Sequence, residues 1–227
     1  MYKVPENLIF LSGCHGCGKD YIINRYFSWQ EENNDKILFK AMRYNKCEMT
    51  GFEEVYERQV RRIAKYAIDF KRIIDTCIDN PDRIIITDRC PVLDPYCYVK
   101  AFAKLNFISN EIEKHLLNLL DESFIFWDKK DILSRVFLIK DASNTILNNI
   151  KNRNANKWNE DDINYTLAVI EEYNKFNKGG VGYLCGVSPD RRFDAFLEYV
   201  KIVATKYFTK VDEERSLKHL YHPIYNN

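Results

Sequence analysis

Lys19 and Asp20 close a short glycine-rich stretch, Gly13-Cys14-His15-Gly16-Cys17-Gly18, and residues of these types in this order can hold polyphosphate. Glycines allow backbone angles that side chains forbid, so successive N–H groups can converge on one anion. A lysine at the end of such a turn adds a mobile ammonium for the outer phosphates. The stretch fits G-x-x-x-x-G-K-[ST] at every fixed position but the last, where Asp20 replaces the hydroxyl residue. A carboxylate is a hard oxygen ligand for Mg²⁺, and without a metal it repels phosphate, so Asp20 predicts metal dependence. It also suits the positive end of a helix. Cys14 and Cys17 form a C-x-x-C with no second pair to complete a zinc site. They occupy variable positions of the loop, and their oxidation would deform it.

A second group lies in "IIITDRC", residues 84–90. Asp88 and Arg89 follow an apolar run directly. At the end of a strand, Asp88 would order Mg²⁺ or orient an acceptor, and Arg89 would stabilise charge on a moving phosphoryl group. The polar stretch "KNRNANKWNE", residues 151–160, carries Lys151, Arg153 and Lys157. Such a segment can close over triphosphate and exclude water.

These groups need a scaffold that brings them to one edge. Five apolar runs, at 8–12, 36–41, 83–87, 135–140 and 182–187, alternate with helical patterns at 19–28, 51–78, 95–105, 110–121, 143–152, 161–177 and 190–208. Continuous Ile/Val/Phe runs read as strands buried on both faces, and strand–helix alternation implies an α/β sandwich on a parallel sheet. Thr50 and Glu53 form a capping box for the long helix, and Ser188-Pro189-Asp190 reads as the start of the last one. The tail, 209–227, is polar and reads as a surface helix with a frayed end.

Bulk composition narrows the function classes. Lys+Arg 34 against Asp+Glu 33 leaves a net charge of +1, so no global field draws the chain to nucleic acid or membrane. Seven scattered cysteines without framework spacing read as reduced thiols in a cytoplasmic protein. No window approaches a membrane span.

In order and spacing, the loop at 13–20, the block at 84–90 and the segment at 135–176 resemble the thymidylate kinase and deoxynucleoside kinase group of P-loop kinases. The resemblance implies a P-loop NTPase-type three-layer sandwich over residues 1–208. It also implies a five-stranded parallel sheet, a short lid near 150–160, and ATP with Mg²⁺ as donor. Asp20 and Asp88 would then serve the metal, Lys19, Asp88, Arg89 and Arg153 the transfer, and Gly13, Cys14, His15, Gly16, Cys17, Gly18, Lys19 and Asp20 the donor phosphates. Arg43 resembles the thymidylate kinase arginine after the second strand. Arg58, Arg61, Arg62 and Arg72 on the long helix are candidate acceptor contacts, and Tyr66, Phe70 and Tyr98 are candidates for stacking on a base.

A nucleoside hydroxyl needs a nearby base, whereas a monophosphate needs positive charge. "KAMRYNK" has an arginine and no carboxylate, and the second block is D-R, so the expected acceptor is a deoxynucleoside monophosphate, thymidylate first. His15 stands where thymidylate kinases usually carry Asp or Glu, and "LDPYCYVKAF" departs from their pattern. A deoxynucleoside kinase and a non-catalytic nucleotide-binding protein are the alternatives. Homodimerisation is common in the group and is an expectation.

Overall fold

The computed structural model describes residues 1–33, 40–43, 54–152, 162–176 and 188–221. Four strands among them, β1 (Leu8–Ser12), β2 (Lys40–Arg43), β3 (Ile85–Asp88) and β4 (Val136–Leu138), form a parallel sheet in the order β2-β3-β1-β4. The described sheet has four strands where five were expected, and the run at 182–187 expected to form a strand lies outside the described residues. β1 is buried at all five positions. A strand with helices over both faces must be apolar on both, and "LIFLS" is.

Side chains of β1 and β4 show the two covering layers. Phe10 stacks against Phe70 of α2 (Val55–Asp79), at 6.3 Å between centroids. Phe137, whose register partner is Leu11, packs edge-on against Phe196 of α8 (Pro189–Tyr221) at 5.1 Å. Phe10 and Leu11 are consecutive, so they point to opposite faces, and α2 and α8 therefore cover opposite sides. α1 (Lys19–Asn33) packs beside α8. On the other face, α2 is joined by α3 (Leu93–Lys104), α4 (Asn110–Ser123) and, after the short α5 (Lys129–Ser134) and α6 (Ser143–Lys151), by α7 (Ile163–Asn174).

Helix starts follow local chemistry. Ser109 Oγ accepts from the Ile112 amide, Asp128 caps α5 and Asp162 caps α7. α2 begins at Val55 with no side-chain cap from Glu54, later than the spacing implied; Thr50 and Glu53 lie outside the described residues. Ser188 Oγ accepts from the Arg191 amide, as expected for the last helix. That helix then runs on to Tyr221, through most of the tail.

Candidate active site

The turn after β1 lies between the carboxyl ends of β3 and β4, the edge where parallel sheets bind ligands. Four of its carbonyls are held by three side-chain donors. Lys19 Nζ donates to the carbonyls of Gly13 (2.6 Å) and Cys14 (2.9 Å). Asn149 Nδ2, on α6, donates to Gly16 O at 2.9 Å, and Arg192 Nη1, on α8, donates to Cys17 O at 3.2 Å. Gly16 has φ +75°, and a Cβ there would meet Ile146 O and Ile150 Cγ1 at 2.9 Å, so any side chain would push α6 away.

Cys14 and Cys17 are both free, buried and hydrogen-bonded to each other. Cys17 Sγ also accepts from Lys19 Nζ at 3.7 Å. The Cys14 hydrogen bond, opposed by burial and aided by the Lys19 charge, brings the Cys17 thiol down to about 6. The same bond, together with burial, pushes Cys14 up.

Asp88 ends β3 opposite Leu11 of β1 and Arg43 of β2 in register. Its Oδ1 is buried and has no hydrogen-bond partner. The next residue, Arg89, has φ +96°, strained for a side chain of its size, and its amide donates to Leu11 O at 2.8 Å. This backbone turns the guanidinium onto Asp94 Oδ1 (3.0 Å) and the Tyr98 hydroxyl (3.1 Å). Burial disfavours the Arg89 cation, but Tyr98, Tyr66 and Asp94 more than restore it.

Asp94 was not singled out in the sequence, yet it is the hub. Fully buried in the first turn of α3, it accepts from Ser12 Oγ (2.6 Å), the Cys90 amide (2.8 Å), Arg89 Nη1 (3.0 Å) and the Tyr173 hydroxyl (2.8 Å). Ser12 immediately precedes the glycine-rich turn, so Asp94 joins that turn to the D-R block. Burial drives the Tyr98 hydroxyl up to about 12, which keeps it protonated at neutral pH.

The expected residues divide. His15, at 5.2 Å from the Tyr98 ring, and Arg62, with Cζ 4.6 Å from that ring's centroid, join Arg89 around Tyr98. Beside them Gln59 is fully buried; its Oε1 accepts from Arg62 and its Nε2 has no partner. Phe70 instead belongs to the core, against Phe10, Phe124 and Trp127, and has no face left for a base. Arg72 is exposed and pairs with Asp69 on its own helix. The backbone of Arg43 is on the sheet; Arg153 and the lid beyond residue 152 lie outside the described residues.

Sequence reading also passed over Arg192 and Asp141. They form a buried ion pair, Nη2 to Oδ2 at 2.5 Å, behind the loop. The signal was present only as a charged residue inside a helix start, "SPDRRF", where solvation is the ordinary expectation.

Asp20 is exposed at the first turn of α1, and Asp88 offers an orphaned buried oxygen at the adjoining strand end. Mg²⁺ usually takes one or two carboxylates and completes its shell with phosphates and water, so this donor set fits it. Among the described residues no group of three or more His, Cys, Asp or Glu is placed to hold a metal without such help.

No known family profile matches the chain, and no curated protein matches it in sequence. Solved structures do match in shape. Deoxyadenosine kinase from M. mycoides with bound dATP superposes with a TM-score of 0.61 at 15% identity, over 86% of this chain and 99% of that one. The fold is similar to that of this deoxyadenosine kinase. The same enzyme with its products dCMP and a flexible dCDP gives 0.55 at 13% identity, and with dCTP 0.52 at 12%, each over 86% of this chain and 99% and 98% of the other. No described helix is long and apolar enough to cross a membrane.

Proposed function

We propose that this protein is a kinase that moves the γ-phosphoryl group of ATP to a deoxynucleoside. The observation carrying the reading is the chain Ser12–Asp94–Arg89–Tyr98, which ties the glycine-rich turn to the cluster of Tyr98, Arg62 and Gln59. The three similar structures, all deoxyadenosine kinases with deoxynucleotides bound, support it.

In this reading the loop amides grip the donor phosphates and Lys19 exchanges its two carbonyl partners for phosphate oxygens. Asp20 and Asp88 would hold Mg²⁺, which neutralises charge on the phosphates when bound. Of the two Asp88 oxygens, one would face Mg²⁺ and the other would take the acceptor hydroxyl proton. Arg89, pre-aimed by its strained backbone, meets the charge that develops in transfer. Gln59 offers an acceptor and an unpartnered donor, the pair of functions that an amide uses to read a base edge.

A second reading, a thymidylate-kinase-like enzyme acting on a monophosphate, is favoured by the two guanidiniums of Arg62 and Arg89 around one tyrosine ring. One screen separates the readings: Mg·ATP with each deoxynucleoside and each monophosphate, deoxyadenosine and deoxycytidine first, products identified by mass. Phosphorylation of free deoxynucleosides, reduced about 100-fold or more in Lys19→Ala, is expected. Preference for a monophosphate selects the second reading. ATP binding without transfer to any acceptor returns the protein to the non-catalytic class.

A further inference from the structure

The transfer reading gives the loop's two thiols no task, although their surroundings are unusual. Cys14 and Cys17 share a hydrogen bond inside the turn that must wrap the phosphates. Cys17 Sγ touches Lys19 Nζ at 3.7 Å and packs under Gly13, where an added Cβ would meet it at 2.7 Å. Cys14 is 4% exposed and Cys17 0%. A zinc role has no support, since no third ligand stands with them among the described residues.

We propose that Cys14 and Cys17 form a peroxide-oxidisable dithiol whose closure to a disulfide disables the phosphate loop. The proposal rests on the nucleotide-binding reading of that loop and adds its regulation. Three observations converge on it. Cys17 Sγ (3.7 Å) and the Cys14 carbonyl (2.9 Å) meet at one atom, Lys19 Nζ, which holds the two residues together. The Cys14 hydrogen bond and then the Lys19 ammonium favour the Cys17 thiolate, and that thiol is lowered to about 6, whereas burial lifts the thiols of Cys77 and Cys90 to about 12. Both thiols are nearly or fully buried, which bars direct attack by a bulky thiol such as glutathione and leaves a small oxidant as the reactant.

The chemistry balances with hydrogen peroxide as the two-electron oxidant. The Cys17 thiolate attacks one peroxide oxygen, the O–O bond breaks, and hydroxide leaves, giving a Cys17 sulfenic acid. Cys14 sulfur attacks that sulfur, the S–O bond breaks, and the hydroxyl departs as water with the Cys14 proton. The leaving hydroxide takes a proton from solvent, so the dithiol is oxidised and peroxide becomes two waters. Bond formation draws the sulfurs from hydrogen-bond contact to about 2.05 Å and removes the thiolate facing Lys19. A shift of about 1 Å in groups that position a reacting phosphate is enough to cost about 100-fold.

The test treats the reduced full-length protein with hydrogen peroxide, then maps thiols by alkylation and peptide mass, with ATP binding followed by calorimetry in magnesium. Expected are a 14–17 linkage lacking two hydrogens, a loss of ATP affinity of about 100-fold, and recovery of both with dithiothreitol. Bound Mg·ATP should slow the linkage. Cys14→Ser, compared with its own untreated affinity, should lose binding to an over-oxidised Cys17 that dithiothreitol does not rescue. Free, alkylated Cys14 and Cys17 after peroxide treatment would overturn the proposal, as would a linkage that leaves ATP affinity intact. If reduced protein binds no ATP, the nucleotide-binding reading is what fails, and the mapping still decides whether the disulfide forms.

Discussion

Asp94 Oδ2 accepts a 2.6 Å hydrogen bond from Ser12 Oγ, across 82 residues of sequence, and so fixes the last residue of β1 to the first turn of α3. The same carboxylate carries Arg89 and Tyr173 on its other oxygen. Donor and acceptor halves of the candidate site are thereby set by one buried charge.

Asp94→Asn keeps the shape and removes that charge. Arg89 would face a neutral amide whose NH₂ group competes with the existing donors. A drop in unfolding free energy of about 2–4 kcal/mol is expected from denaturant titration. Tyr173→Phe removes one hydrogen bond and should cost only about 1 kcal/mol. Equal, small effects in both variants would show that Asp94 is not the anchor.

How much of this could be read in advance depended on range along the chain. β1 and β3 were legible because strands covered on both faces are continuously apolar. α5 was not, since six residues carry no period. The helix through the tail agrees with the surface helix expected there, but that it continues α8 without a break was not legible, because a polar stretch offers no period to count. Lys19, Asp88 and Arg89 were legible because local motifs carry them. Asp94 was not: an aspartate before proline at a helix start reads as an ordinary N-terminal acid, and its partners lie 82 residues before and 79 after. Phe70 misled because an aromatic on an amphipathic helix has the same pattern whether it meets a base or, as here, other core rings.

The Arg192–Asp141 pair makes a prediction about nucleotide affinity. One guanidinium holds both the Cys17 carbonyl and Asp141, with side chains 7% and 1% exposed. A lysine ammonium cannot reproduce that fork. Arg192→Lys should weaken ATP binding by about 10-fold or more and cost about 3 kcal/mol of stability. Asp141→Asn should do similarly. The double variant should fall well short of the sum, because both act through one contact. Additive losses would separate the two residues.

Asp88→Asn tests the orphaned carboxylate. An amide keeps the volume but is a poor metal ligand and no base. Turnover should fall about 100-fold or more, with ATP binding in the absence of magnesium unchanged or improved. The magnesium concentration for half-maximal rate should rise in any residual activity. A variant with near-normal turnover and magnesium dependence would remove Asp88 from the chemistry.

Alkaline stability gives the last prediction. Burial lifts the Cys77 thiol from the ordinary 9.0 to about 12 in the folded chain. The folded state then keeps a proton that the unfolded state releases between those values. The contribution to stability is whole below about pH 9 and is lost as pH climbs toward 12, at up to about 1.4 kcal/mol for each pH unit. Cys77→Ala removes this site at the cost of a small cavity, about 1 kcal/mol near neutrality. Denaturant titrations at about pH 7 and about pH 10.5 should therefore show a smaller alkaline loss in the variant than in the parent. Buried tyrosines such as Tyr98 act in the same direction in both proteins, so the difference between the two slopes reports Cys77 alone. Parallel slopes would mean that the thiol is reached by solvent in the folded protein.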